Sequence, residues 1–351
     1  VSSTITTATS GRPGAADLRR PVVVRTAWLL AGVALIVVLG ILSVSFGVRE
    51  VGLSDILAAL SGHDETISQA AIVKRVPRTV LAILVGAALA LSGAAMQAVT
   101  RNPVADPGIL GVTNGAALAV VVGLAFFGLT EPYGQMALAI VGAAAAAAFV
   151  YTVGSLGRGG ATPLKLALAG AATSAAFASL ISAIMLPRVD LLPAFQSWQV
   201  GGVGGAEWPR IAITAPVLAA GALICIASAR GMNSLALGDD MAAGLGEHVF
   251  RTRLVSALGA VILAGAATAI AGPIGFVGLI VPHACRMLIG TDHRWLLPFS
   301  ALTGSALLLA SDVIGRVIAP SSEEIQVGII TAVIGAPFFI WIVRRQKVRE
   351  L

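Results

Sequence analysis

Ten stretches of this chain are each long and apolar enough to form a helix across a lipid bilayer, and no other feature restricts its architecture as much. They fall at roughly 27–46, 79–99, 108–129, 134–154, 164–187, 209–229, 254–272, 274–290, 295–318 and 325–343. A spanning helix needs about 20 predominantly apolar residues. The seventh run abuts the eighth at Gly272-Pro273, so hydropathy supports nine spans or ten. The polar connections are too short to hold a soluble domain, and the expected fold is an all-α polytopic membrane protein.

Composition agrees. Hydrophobic residues make up 57% of the 351 and charged residues 11%, against about half and a quarter in a soluble domain. Forty glycines beside two tyrosines suit helices that pack closely through small side chains. Cys225 and Cys285 lie in or beside apolar runs and suggest no disulfide framework. Residues 1–26, rich in Ser, Thr and Arg, read as a disordered tail, with the first run a retained helix; 347–351 form a second tail. With ten spans, sixteen of the 23 Lys and Arg residues share one side with both termini, and seven lie on the other. The positive-inside bias makes the first side cytoplasmic. The net charge of +6 is therefore read as topology, not as nucleic-acid binding.

Missing residue types narrow the function. Acidic residues fall in loops or at helix ends, with Asp312 the nearest to an exception. An ion-coupled transporter would place an acid or histidine at the midplane, so that class recedes. An intramembrane metalloenzyme would need H-E-x-x-H spacing, which His63, His248, His283 and His293 lack; His283 and Cys285 supply too few ligands for a metal site. None of the three lysines closes a phosphate-binding G-x-x-x-x-G-K loop. If ATP drives this protein, a separate subunit binds it.

Four punctuated segments remain. "RNPVADPGILG", 101–111, reads as a shaped turn, with Asp106-Pro107 capping the third run. The fifth run carries Gly170, Thr173, Ser174, Ser179 and Ser182 among alanines, suited equally to a wet path and to small-residue packing. Residues 229–253 place Leu235, Leu237, Met241, Leu245 and Val249 on an apolar face broken by Gly238, Gly244 and Gly246. Two short helices outside the bilayer fit this pattern, either docking a cytoplasmic partner or lying on lipid. "KRVPRT", 74–79, and Arg316 put cations at helix ends on the cation-poor side, where they suit an acidic partner or are simply solvated.

Together these stretches resemble the FecCD family, the permease subunits of type II ATP-binding-cassette importers for ferric siderophores, haem and cobalamin. The matching motifs are "RVPRT", "GAALALSGAAMQAVTRNPVADPGILGVTNGAA", "NSLALGDDMAAGLG", "AGPIGFVGLIVPHACR", "GTDHRWLLPFSALTG" and "IGAPFFIWIVRR", in order from about residue 50 to 346. "DHRWLLP" and "SDVIGRVIAP" look most like the first membrane subunit of ferric-enterobactin-type permeases. The resemblance implies ten helices over 27–346, a type II importer permease fold and both termini in the cytoplasm. It implies a non-enzymatic subunit in the bacterial inner membrane, without cofactor or metal, beside a second permease subunit. A heterodimer is favoured, with two cytoplasmic ATPases that hold ATP and Mg, and an extracytoplasmic binding protein.

The resemblance also implies roles. Asn233, Ser234, Leu235, Ala236, Leu237, Gly238, Asp239, Asp240, Met241, Ala242, Ala243, Gly244, Leu245 and Gly246 match the segment that couples to the ATPase. Arg75, Arg78 and Arg316 match cations that receive carboxylates of the binding protein, and Gly170, Thr173, Ser174, Ser179 and Gly328 lie on helices matching the translocation path. The chain departs from the family's P-E-I-P-V-G before the last run, where Gln326 replaces the second proline; Ser321 and Glu324 keep a capping-box spacing. The expected function is import of a ferric siderophore, with haem or cobalamin as the alternative cargo.

Overall fold

The computed structural model describes residues 21–46, 66–108, 111–156, 163–188, 191, 196, 198–319 and 324–345. The terminal tails beyond these limits and Ser321 lie outside the described residues. The protein is all helical. Its elements are α1 (Val22–Ser45), α2 (Ile67–Thr100), α3 (Val112–Phe127), α4 (Pro132–Ser155), α5 (Pro163–Met185), α6 (Trp208–Ala227), α7 (Ala229–Leu235), α8 (Asp239–Gly244), α9 (Val249–Ala271), α10 (Val277–Ile289), α11 (His293–Ile318) and α12 (Val327–Arg345). Each of the ten apolar runs coincides with one helix. Seven of these, α1, α2, α4, α5, α6, α9 and α11, are long and apolar enough to cross a membrane, whereas α3, α10 and α12 are shorter.

The centre of the bundle is α2, which packs against α11, α9, α10, α6 and α1. It begins twelve residues before the apolar run does, because Thr66 and Gln69 form a reciprocal capping box. At 1.5 Å per residue its 34 residues extend about 50 Å. "KRVPRT" is thus part of the helix, with Pro77 inside it.

Helices in lipid gain little from hydrophobic transfer against one another, so close packing must hold them together. Glycines supply it. A Cβ on Gly86 would overlap the Gly304 carbonyl where α2 crosses α11, and one on Gly93 would overlap Gly278 where α2 crosses α10. Gly115 and Gly142 make the same contact between α3 and α4.

The turn at 101–111 differs from its expected form. Asp106 does not cap α3, whose N-cap is Gly111 in the left-handed region at φ 71°. Instead Asn102 Oδ1 accepts from Val104 N–H (3.1 Å) and Asp106 Oδ1 from Gly108 N–H (2.7 Å). These are consecutive Asx turns, each with proline at its second position. The Asp106 carboxylate lies against Gly278, at the start of α10. Its partner Gly93 is seven residues, about 10 Å, before the end of α2, so the turn folds back along the bundle. Ala105 and Pro107 are buried there, while Arg101 and Pro103 stay exposed.

Candidate functional site

One end of the bundle gathers Arg75 and Arg78 from α2 and Arg316 from α11. The expectation of open, solvated cations is corrected here: Arg75 and Arg316 are 9% and 3% exposed. Arg78 Nε and Nη2 donate to Asp312 Oδ1 at 2.9 and 2.8 Å, and its Nη1 donates to Glu324 Oε2 at 2.5 Å. Arg316 Nη2 lies 2.8 Å from the other Asp312 oxygen, while its Nη1 donates to the carbonyls of Ser43 and Phe46. Arg75 Nη1 donates to the carbonyls of Val44 and Ser45 at the end of α1. The guanidinium fork, with five donors in one plane, serves several acceptors at once. Asp312 is fully enclosed and Glu324 40% exposed, so the cluster runs from interior to surface.

The opposite end carries the segment 229–253. Its pattern gave two short helices, and α7 and α8 are those helices. The expected apolar face divides in two. Leu235 turns inward with Met232 and Ala242, all fully buried, whereas Leu237, Met241 and Leu245 are 59–65% exposed and Phe250 joins them at 76%. Gly238 and Gly246 take φ of 104° and 83°, which reverses the chain on either side of α8. Ala236, Asp240, Ala243 and Gly244 are exposed, and Ser234 Oγ faces the Arg230 carbonyl at 3.4 Å.

Polar side chains tie this segment to the bundle. Asn233 Nδ2 donates to Asp292 Oδ1 (2.7 Å), and its own Oδ1 accepts from His293 N–H (2.9 Å) at the start of α11. Burial works against the Asp292 carboxylate. The Asn233 amide, the Arg294 N–H and the charges of Arg294 and Arg25 outweigh it, holding its pKa below the ordinary range. Asp239 Oδ1 receives Arg253 Nη2 at 2.8 Å and Arg101 Nη2 at 2.9 Å. Arg101 ends α2 in the left-handed region at φ 51°, a conformation costing about 1 kcal/mol for a residue with a Cβ. Farther in, Arg286 Nη2 donates to Gln97 Oε1, and Gln97 Nε2 to the carbonyls of Gly278 and Leu279. Motif reading missed Asp312, Asp292, Arg101 and Arg253, whose partners are distant in sequence or on neighbouring elements.

The residues expected along a path do not share one face. Gly170 and Thr173 turn inward; Thr173 and Ser174 approach Gly111 at the start of α3. Gly328 packs on the carbonyl of Val200 and donates its N–H to Gly201 O (3.0 Å). Of the five, Ser179 is the exposed one, with Ser182 on the same side. A shallow apolar groove beside Gly328 is lined by Val200, Ile329, Ala332, Val333, Ala336 and Pro337.

Comparison with known proteins places this geometry in context. Residues 35–345 match the profile of the FecCD transport family. The chain is 42% identical over 314 residues to the ferric enterobactin transport system permease protein FepD of Escherichia coli (strain K12), covering 89% of this chain and 93% of that protein. It is 41% identical over 321 residues to the iron(3+)-hydroxamate import system permease protein FhuB of Bacillus subtilis (strain 168), covering 91% and 83%. A solved structure of an inward-facing metal-chelate type ABC transporter superposes with a TM-score of 0.76 at 29% identity, over 92% of this chain and 99% of that one.

Proposed function

The chain belongs to the FecCD transport family and is a permease subunit of an ABC-type importer for iron–siderophore or related substrates, and from that premise we propose how its parts divide the work. It is a multi-pass protein of the bacterial inner membrane and performs no catalysis, which resides in a separate ATPase. The cargo in this reading is a ferric siderophore, the kind of chelate named for its enterobactin and hydroxamate relatives; haem and cobalamin are the alternatives. Ten helices, α1–α6 and α9–α12, cross the membrane, with both termini and α7–α8 in the cytoplasm. The turns preceding α3 and α10 supply the depth that these short helices lack.

The observation that carries this reading is the exposed apolar face of Leu237, Met241, Leu245 and Phe250, on a segment otherwise tied to the bundle by charged and amide side chains. A loop in water has no use for such a face, whereas an ATPase groove would cover it. At the opposite end a binding protein docks on the Arg75, Arg78 and Arg316 cluster. A second permease subunit, in a heterodimer, faces α5 and α12. Ser179 and Ser182 line the path, Ser174 borders it, and Gly170, Thr173 and Gly328 support its walls from behind. ATP acts through partners that bind the two access states differently, since nothing else can shift their populations.

The test is energy coupling. Proteoliposomes holding the assembled importer are loaded with ATP and offered radiolabelled iron as ferric enterobactin or a ferric hydroxamate. Uptake is expected to require ATP and to survive an uncoupler. Uptake that needs a proton gradient and not ATP would establish an ion-coupled carrier instead.

A further inference from the structure

We propose that Asp239 is the positioning residue through which movement of α8 reaches the membrane helices. This rests on the reading of α8 as the ATPase-facing element. Asp239 is in the first turn of α8, and a single oxygen, Oδ1, receives both Arg101 Nη2 and Arg253 Nη2. One arginine ends α2, the central helix, and the other is the fifth residue of α9. Displacement of α8 therefore pulls on two helices that themselves pack together.

The backbone supports a role for the Arg101 side chain. At φ 51° a glycine is the residue without strain, and Gly128 ends α3 in the same left-handed conformation, at φ 61°. Arginine stands at the end of α2 despite that cost, with its guanidinium directed onto Asp239 and beside Gly238. The principal packing of α8 is against α7 and α9, so its tie to α2 is made by side chains. Asp239 and Arg101 are each 41% exposed. Ion pairs that open to solvent add little to stability, so this bridge matters for alignment more than for holding the fold.

The assembled importer in proteoliposomes, with ferric enterobactin and a ferric hydroxamate as probes, tests this through the iron moved per ATP hydrolysed. Asp239→Asn is expected to lower that ratio at least fivefold, the lower bound of typical coupling between sites, while the ATPase co-purifies as with wild type. Asp239→Glu should restore most of it. Arg101→Gly relieves the backbone at the end of α2 and so keeps the subunit folded, and it should show the same loss. Leu245→Asp, on the docking face, should instead release the ATPase. An unchanged ratio in Asp239→Asn or Arg101→Gly would overturn the proposal, and so would ATPase loss in either variant equal to that of Leu245→Asp. A wild-type importer showing no ATP-dependent uptake would defeat the transport reading itself, a separate outcome.

Discussion

Asp312 is fully enclosed, and its charge is tolerable because two guanidiniums, from Arg78 and Arg316, meet its two oxygens. Removing one partner of such a group leaves an uncompensated charge, which costs about 3–5 kcal/mol. Asp312→Asn strands the Arg316 guanidinium, which is 3% exposed, and should lower stability by that amount. Glu324→Gln removes a 40% exposed carboxylate from the same Arg78 and should cost no more than about 1 kcal/mol. Thermal unfolding of the detergent-purified subunit separates the two; equal losses would mean that burial is not what sets the strength of these pairs. Asp312 stood out in the sequence as the acid nearest to a helix interior, but its partners were not legible there. Arg78 and Asp312 are 234 positions apart, and the cations beside Pro77 invited a surface reading because no nearby acid was there to claim them. Asp312 is withdrawn as a candidate for midplane proton relay as well, since it sits at the arginine end, ion-paired to Arg78 and Arg316.

At the level of elements, hydrophobic runs located every long helix among the described residues, because a bilayer-length apolar stretch has few other ways to satisfy its backbone. Two kinds of boundary were not legible. The start of α2 depends on a Thr66–Gln69 capping box in polar sequence, outside the apolar run that drew attention. The start of α3 depends on Asx turns that use Asp106 for its own backbone instead of the helix. The segment 229–253 was legible as two short helices, but not the inward turn of Leu235, because a short apolar stripe does not tell which residues meet the bundle. Helix crossings were legible only as an excess of glycine, and the structure makes them specific. A Cβ on Gly93 meets the backbone of Gly278, which cannot rotate away, so Gly93→Ala should cost about 3 kcal/mol, high in the range for overpacking. Gly40, with open space around it in α1, is the control: Gly40→Ala should be neutral or gain up to about 1 kcal/mol from helix propensity. The yield and unfolding temperature of the two variants should diverge. Similar values would show that α2 and α10 do not depend on this contact.

Across the whole molecule, the two ends are built differently, and this changes how docking at the arginine end can be tested. Reversing Arg75 and Arg78 to glutamate, the obvious variant for exposed cations, would set one carboxylate against enclosed Asp312 and another against the carbonyls at the end of α1, and disrupt the fold before any partner arrived. The milder variant is the informative one. A partner's carboxylate approaching from solvent cannot displace Asp312, but it can take the place of Glu324 on Arg78 Nη1, since Glu324 is the exposed member of the cluster. Docking would then release the residue three positions before α12 and connect arrival of the binding protein with the helix proposed to flank the path. Glu324→Gln removes the competing charge in advance. If the arginines receive the binding protein, its affinity for the permease in nanodiscs should rise by up to about fivefold at low ionic strength, the value of one exposed ion pair. The gain should fade as salt screens it. Affinity that stays the same or falls in this variant, at low salt where such pairs are least screened, would assign the cluster to internal cohesion alone and move the docking surface elsewhere on this end.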